Sequence, residues 1–151
     1  MMERFWRSTP VIVCLAVLLM LSSCGREVSC DDGAVVDQML VLAKRGVVTD
    51  LSTQCASRLY GKIPAVAAKC PTDSSGSAVG CAAACRLWAE SNVTAKAGEL
   101  QTLFKDDMVA TRRCRASVRF EIAFDGGQTV NTGITYVAAP QAGGVQVALS
   151  E

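Results

Sequence analysis

Apolar residues recur at helical spacing in the segment Gly33–Arg45. They lie three or four positions apart, as residues on one face of a helix do, at Val35, Val36, Met39, Leu40 and Ala43. Acidic residues precede the segment and basic residues end it, which suits the helix dipole. Gly46 is placed to end the helix in a left-handed conformation. The pattern therefore predicts a first helix over Gly33–Arg45.

Further helical segments follow in the middle of the chain. Thr49-Asp50 is a capping sequence and predicts the start of a second helix, which ends near Gly61. Ala65–Lys69 predicts one more helical turn, the small polar segment Thr72–Gly80 predicts a loop, and Cys81–Ser91 predicts a third helix.

The period changes to two in Arg113–Phe124, where twelve residues alternate between the faces of a strand. The apolar positions are Cys114, Ala116, Val118, Phe120, Ile122 and Phe124. Asp125-Gly126-Gly127 predicts a turn. The alternation resumes over Val130–Ala138 and, after a second turn, over Val145–Leu149. Together these segments predict an antiparallel meander with one buried face.

The predicted fold class is α+β, with N-terminal helices packed on a C-terminal antiparallel meander of three to four strands. Val93–Phe104 fits either a strand or a short helix, and we favour a strand at the edge of the sheet. Three features carry a likeness to known domains: the acid-flanked helix after Cys30, the strand that begins Cys114-Arg115-Ala116, and Ile134-Thr135-Tyr136-Val137. In these the chain loosely resembles cystatin-like and nuclear-transport-factor-like lipoprotein domains of bacteria. The cysteines between the helices depart from that resemblance.

The start of the chain has the organisation of a secretory signal peptide. Met1–Thr9 carries two arginines, and Val11–Leu21 is a run of eleven apolar residues, shorter than the ~20 that a membrane-spanning helix needs. Leu21-Ser22-Ser23-Cys24 resembles the lipobox of bacterial lipoproteins. The resemblance implies cleavage before Cys24 and a diacylglycerol thioether on its sulfur. The alternative is an ordinary leader followed by a chance cysteine.

The lipobox divides the chain into a signal peptide (1–23), a lipidated cysteine with a short tether (24–29) and a single α+β domain (30–151). Because Gly25 is not aspartate, the resemblance implies sorting to the outer membrane. The five residues after Cys24 in the tether reach less than about 20 Å at ~3.6 Å per residue. We therefore expect the domain to face the periplasm close to the bilayer.

Eight cysteines are a high density for 151 residues. Cys14 belongs to the leader and Cys24 to the anchor, which leaves six candidates for disulfides in an oxidising compartment: Cys30, Cys55, Cys70, Cys81, Cys85 and Cys114. Sequence alone does not choose among their pairings. Our hypothesis is a helix-to-sheet bridge, Cys30–Cys114, with the other four paired among themselves. The alternative is a metal site around Cys81 and Cys85, which the missing CxxC spacing disfavours, so we expect no metal.

The chain has no histidine and a net charge of +1. The first property excludes Ser-His-Asp and Cys-His catalysis and histidine metal ligands. The second argues against nucleic acid as a partner. Neither GxSxG nor SxxK occurs. The sequence therefore predicts no catalytic residue, and no cofactor besides the lipid on Cys24.

A possible binding face lies on and just before the predicted strand Arg113–Phe124, with basic side chains at Arg112, Arg113, Arg115 and Arg119. Such a stripe suits anionic lipid headgroups or an acidic partner. The alternative, which we favour, is a solvated face whose charges are balanced by Asp106, Asp107, Glu121 and Asp125. The acidic pairs Asp31-Asp32 and Asp106-Asp107 are interpreted as helix-capping and turn residues.

These features predict a membrane-anchored periplasmic lipoprotein that acts by binding an envelope protein, as inhibitors, immunity and exclusion proteins and accessory parts of envelope machines do. Two alternatives stay open. One is a carboxylate-dependent cell-wall enzyme, and the other is a structural envelope lipoprotein without a specific ligand.

Overall fold

A computed structural model describes residues 27–70, 81–124 and 126–150 of the chain. The predicted signal peptide, Cys24, the first part of the tether, the loop Thr72–Gly80 and the turn residue Asp125 lie outside the described residues. Within the described ranges, no helix combines the length and the hydropathy that crossing a bilayer requires.

The first helix, α1, is longer than predicted and covers Gly33–Gln54. Asp32 caps it as expected, because its side chain accepts a hydrogen bond of 2.9 Å from the backbone N–H of Ala34.

The predicted helix end at Gly46 and the predicted cap at Thr49-Asp50 are wrong. Residues buried in the core lie on both sides of the glycine, at Ala43 and Val48, so packing holds one continuous helix through it. A glycine inside a helix costs only about 1 kcal/mol relative to alanine, which is less than the burial of one large apolar side chain contributes. The hydroxyl of Thr49 donates to a carbonyl one turn earlier in the same helix, as threonines inside helices do.

Three short helical segments and one longer helix follow α1. They are a π-helical turn (Cys55–Leu59), a 3-10 turn (Tyr60–Lys62), helix α2 (Pro64–Ala67) and helix α3 (Cys81–Asn92). The helical turn and the third helix predicted from the sequence are confirmed to within two residues at each end.

Four antiparallel strands form one sheet in the order β1-β2-β3-β4. They are β1 (Val93–Asp106), β2 (Thr111–Ile122), β3 (Gln128–Gln141) and β4 (Gly144–Ser150). Each strand pairs with the next one along the chain. The predicted α+β meander is confirmed, and so is the strand at its edge, β1.

One face of the sheet is covered by α1. On β2 the alternate residues Cys114, Ala116, Val118 and Phe120 are buried and pack in one core with Val35 and Met39 of α1. The residues between them on β2 are exposed, because successive side chains of a strand point to opposite faces. The described residues therefore form two layers, and the outer face of the sheet lies open.

A smaller cluster joins the helices to the far end of β2. Its buried members are Cys55, Ile63, Val66 and Cys85. Trp88 of α3 packs edge-on against Phe124, with ring centroids 5.1 Å apart.

Three disulfides hold the two layers and the helical segments together. Cys30–Cys114 joins the segment before α1 to β2 at a sequence separation of 84. Cys55–Cys85 and Cys70–Cys81 join the helical segments to α3. Both parts of the predicted pairing are confirmed: the helix-to-sheet bridge, and the pairing of the other four cysteines among themselves.

Candidate functional site

The outer face of β2 carries three of the four predicted arginines. Arg113, Arg115 and Arg119 alternate along the strand and are exposed. Nε of Arg119 lies 3.3 Å from Oε1 of Glu121, whose Oε2 lies 3.2 Å from Nζ of Lys96 on β1. The hydrogen bond from Lys96 is the main reason why the pKa of Glu121 lies below its usual value. The charge of Arg119 is therefore balanced, as the favoured interpretation expected.

The other two arginines of this face are not balanced in that way. Among the described residues, neither Arg113 nor Arg115 forms an ion pair. A Cβ on Gly133 would lie only 3.2 Å from Nη2 of Arg115, so the guanidinium of Arg115 lies across β3 at a position without a side chain. Arg113 is the register partner of Phe104 on β1 and Val137 on β3. We call Arg113 and Arg115 the open arginine pair.

Arg112 does not belong to this face, which corrects the predicted set. Its side chain is only 6 % exposed and lies on the covered side of the sheet. Nη2 of Arg112 lies 2.7 Å from Oε1 of Glu27 and 3.5 Å from Oδ1 of Asp107. The reason is that successive side chains of a strand point to opposite faces. Arg112 is two residues before the buried Cys114 and therefore shares its covered face, whereas Arg113 points to the outer face.

Glu27 holds the start of the described chain against the sheet. Its Oε1 also lies 2.8 Å from Nζ of Lys105 on β1, and Lys105 in turn lies 3.3 Å from Oδ1 of Asp107. The hydrogen bonds from Lys105 and then Arg112 hold the pKa of Glu27 below its usual value. The hydrogen bonds of Lys105 with Glu27 and then with Asp107 raise the pKa of Lys105.

The last part of the segment predicted as a tether, 24–29, packs on the sheet. Val28 is 2 % exposed and belongs to the main core, and Glu27 is ion-paired. Only Gly25 and Arg26 separate Cys24 from the part of the chain that is bound to the sheet. A single valine and a single glutamate have no periodicity, so the sequence pattern carried no signal for this contact.

The connection between β1 and β2 forms an apolar projection. Oδ1 of Asp106 accepts hydrogen bonds from the backbone N–H groups of Met108 and Val109 at 3.0 and 3.4 Å, so Asp106 serves the turn as predicted. Ala110 has a positive φ of 52°. Four exposed large apolar side chains lie on this stretch, which we call the hairpin tip: Leu103, Phe104, Met108 and Val109.

A groove of about 510 Å³ lies between α1 and α3. Its lining is mainly basic and apolar, with a single acid, Glu90: Val41, Lys44, Arg45, Val48, Thr49, Ser52, Arg86 and Glu90. Arg86 Nε lies 3.0 Å from Oε1 of Glu90, and Nζ of Lys44 donates to the backbone carbonyl of Glu90. A carboxylate hydrolase needs two acids across a cleft, and this groove supplies one that is already ion-paired.

The carboxylates with shifted pKa values are all shifted in the same direction. Among the described residues they are Glu27, Glu121 and Asp31, and the pKa of each lies below its usual value. For Asp31 the main cause is a hydrogen bond from the hydroxyl of Ser29. A lowered pKa suits a charged, paired carboxylate and not a proton donor at neutral pH.

The cysteines of the predicted framework are occupied. Cys81 and Cys85 are bridged to Cys70 and Cys55, so their sulfurs are not thiolates that bind metal in this oxidised form. In the part of the chain that the structure describes, no group of three or more cysteine, aspartate or glutamate side chains is placed to hold a metal ion.

Comparisons with protein-family models, with curated proteins and with solved structures return no match to this chain.

Proposed function

We propose that the protein is a bacterial envelope lipoprotein, anchored to the outer membrane through acyl chains on Cys24, that binds an acidic envelope protein on its outer sheet face. The pairing of Cys30, Cys55, Cys70, Cys81, Cys85 and Cys114 with one another is the observation that carries the proposal. It requires an oxidising compartment, and it leaves Cys24 as the one cysteine after the leader that these bridges do not use.

The binding surface is the open side of the sheet around the open arginine pair. Arginines with unpaired charge on a rigid surface attract a partner with negative charge, and they favour orientation-specific association. The guanidinium of Arg115 lies over Gly133, where the missing side chain leaves room, and guanidinium groups bind carboxylates through paired hydrogen bonds. Binding fits this chain better than carboxylate catalysis does, because the groove between α1 and α3 has a single acid, Glu90, among its lining residues.

The anchor is tested by mass spectrometry of the protein purified from membranes. The N-terminal peptide of the mature chain is expected to begin at Cys24 and to carry the mass of its acyl groups, and a Cys24→Ser chain is expected to incorporate no radiolabelled palmitate. An unmodified Cys24 in the wild-type protein contradicts this half of the proposal.

The binding face is tested with a photo-crosslinking residue placed in living cells at Gln101, the exposed register partner of Arg115. The matched control carries the same residue at Asp50, an exposed position on α1. We expect a discrete adduct from position 101 only, and its loss in the double variant Arg113→Glu/Arg115→Glu. An adduct that survives the charge reversal, or that forms equally from both positions, contradicts the proposed face.

A further inference from the structure

The hairpin tip concentrates exposed apolar side chains. Of the eight exposed large hydrophobic residues, it holds four: Leu103 at 50 %, Phe104 at 61 %, Met108 at 97 % and Val109 at 61 % exposed. Exposed apolar side chains gathered at one end of a domain favour contact with a membrane or with another protein.

The N-terminal end of the described chain is bound directly beside the tip. Glu27 contacts Lys105 of β1 and Arg112 of β2, and these two register partners lie between Phe104 and the turn that carries Met108 and Val109. The hydroxyl of Thr102 on β1 also lies 3.3 Å from Sγ of Cys30. Whatever their conformation, the three residues from Cys24 to Glu27 span at most about 11 Å. Acyl chains on Cys24 thus enter the bilayer next to the tip.

We propose that the hairpin tip inserts into the lipid leaflet that holds the acyl chains of Cys24, as a second, non-covalent membrane contact. This inference rests on the proposed lipid anchor. Met108 and Val109 at the turn contact the acyl region. Phe104 and its register partner Arg113 lie further from the turn, and Lys105 is paired with Asp107, so these residues lie at the level of the headgroups, where basic side chains are stabilised.

The two contacts together orient the domain. An acyl anchor alone lets the domain rotate about its tether. A tip embedded beside the anchor fixes one end of β1 and β2 in the membrane, so that the strands extend from the bilayer surface into the periplasm. Arg115 and the more distant Arg119 then face sideways into the periplasm, where a partner protein reaches them. Arg113, next to the tip, lies at the border between the lipid surface and the partner.

A depth measurement on the lipidated full-length mature protein tests the proposal. The protein is reconstituted in vesicles of phosphatidylethanolamine and phosphatidylglycerol whose acyl chains carry bromine, a quencher of tryptophan fluorescence. Met108→Trp reports on the tip. Val130→Trp is the matched control, because Val130 is an exposed apolar residue, 47 % accessible, at the opposite end of the sheet. Both changes are made at exposed positions, so neither disturbs the core.

We expect brominated lipid to lower the added emission of Met108→Trp by about twofold, as for a side chain embedded at the acyl boundary, and to leave that of Val130→Trp unchanged. Equal quenching of the two variants, or none, overturns the inserted tip. Loss of quenching with formation of cross-linked dimers through the tip also overturns it and assigns the tip to a second copy of the chain. The mass of the same sample separates the two proposals: an acylated Cys24 with an unquenched tip overturns this inference alone, whereas an unmodified Cys24 overturns the anchor and this inference together.

Discussion

The phenol of Tyr136 donates a hydrogen bond of 3.0 Å to the backbone carbonyl of Cys30. The sulfur of Cys30 is bridged to Cys114, and Cys114 and Tyr136 are register partners on neighbouring strands. Cys30, which precedes α1, is therefore fixed to β2 by a covalent bond and to β3 by a buried hydrogen bond. This double attachment determines where the N-terminal segment meets the sheet.

Removing the hydroxyl of Tyr136 tests the non-covalent half of that attachment. Tyr136→Phe keeps the ring in the core and leaves the Cys30 carbonyl without its donor, which costs roughly 1–2 kcal/mol for a buried acceptor. We expect the free energy of unfolding in urea, measured with the disulfides intact, to fall by about that amount. Thr129→Val, which removes a hydroxyl from an exposed position, is the control and is expected to change little. A Tyr136→Phe variant as stable as the wild type contradicts the attachment.

Tyr136 also makes stability depend on alkaline pH. Burial in the core, and secondarily the charge of Asp31, raise the pKa of Tyr136 above its ordinary value of 10.0. The folded state therefore keeps the phenol protonated more strongly than the unfolded state does. Its contribution is complete below about pH 10 and is lost as the pH rises towards the folded-state pKa. We expect the free energy of unfolding to decline more steeply above that pH in the wild type than in Tyr136→Phe. Parallel curves contradict this prediction.

The ion pair between Glu27 and Arg112 is expected to matter more than the surface pairs. Glu27→Gln deprives a guanidinium that is only 6 % exposed of its shortest charged contact, whereas Glu121→Gln deprives only exposed partners of theirs. Glu27→Gln leaves Arg112 with the longer contact to Asp107 at 3.5 Å. Because weakening the pairing of a buried charge is costly and surface pairs contribute little, Glu27→Gln is expected to lower the thermal midpoint more than the control. Equal shifts of the two midpoints speak against the contact.

The same pair gives a prediction for acidic pH. The pKa of Glu27 is lowered from 4.5 by the hydrogen bonds from Lys105 and Arg112. The contribution of Glu27 is therefore present above pH 4.5 and is lost as the pH falls through the lowered value. We expect stability curves of the wild type and of Glu27→Gln to converge at acidic pH. Curves that keep a constant separation down to that range contradict the pKa shift.

The disulfides are expected to differ in what each contributes. Cys30–Cys114 closes a sequence separation of 84 and Cys70–Cys81 one of 11. Loop-closure entropy predicts that removing the first costs roughly 4–5 kcal/mol and removing the second about 3 kcal/mol or less. The double variants Cys30→Ala/Cys114→Ala and Cys70→Ala/Cys81→Ala are compared by urea unfolding. A larger loss of stability on removing Cys70–Cys81 than on removing Cys30–Cys114 contradicts the greater contribution expected of the helix-to-sheet bridge.

The two methionines among the described residues report on the hairpin tip without any change of the sequence near it. Met108 is 97 % exposed and Met39 is completely buried in the main core. In the unlipidated Cys24→Ser chain, dilute peroxide is expected to convert Met108 to the sulfoxide while Met39 resists until the domain unfolds. Peptide mass spectrometry measures both rates. Similar rates at the two positions contradict the described burial.

The predictions from the sequence were correct where a pattern repeats and failed where a single residue decides. Twelve alternating residues located β2, and that strand together with the first helix suggested the Cys30–Cys114 bridge. The continuity of α1 through Gly46 could not be seen locally, because tertiary packing overrode a residue that usually ends helices. The contact of Glu27 with Arg112 joins residues 85 positions apart and has no periodic signature. The one signal in the sequence for the burial of Arg112 was its position two residues before Cys114, on the same face of the strand.

If Cys24 is acylated as proposed, the burial of Val28 so close to it imposes an order of events during export. Enzymes that attach diacylglycerol and cut the leader need access to the chain on both sides of Cys24, whereas the folded domain already binds the chain from Glu27 onward. For a lipoprotein, processing must then be completed before the N-terminal segment closes onto β2. Under that proposal, bridging of Cys30 to Cys114 before cleavage would leave the precursor uncut, so the timing of this disulfide would decide how much of the chain is processed.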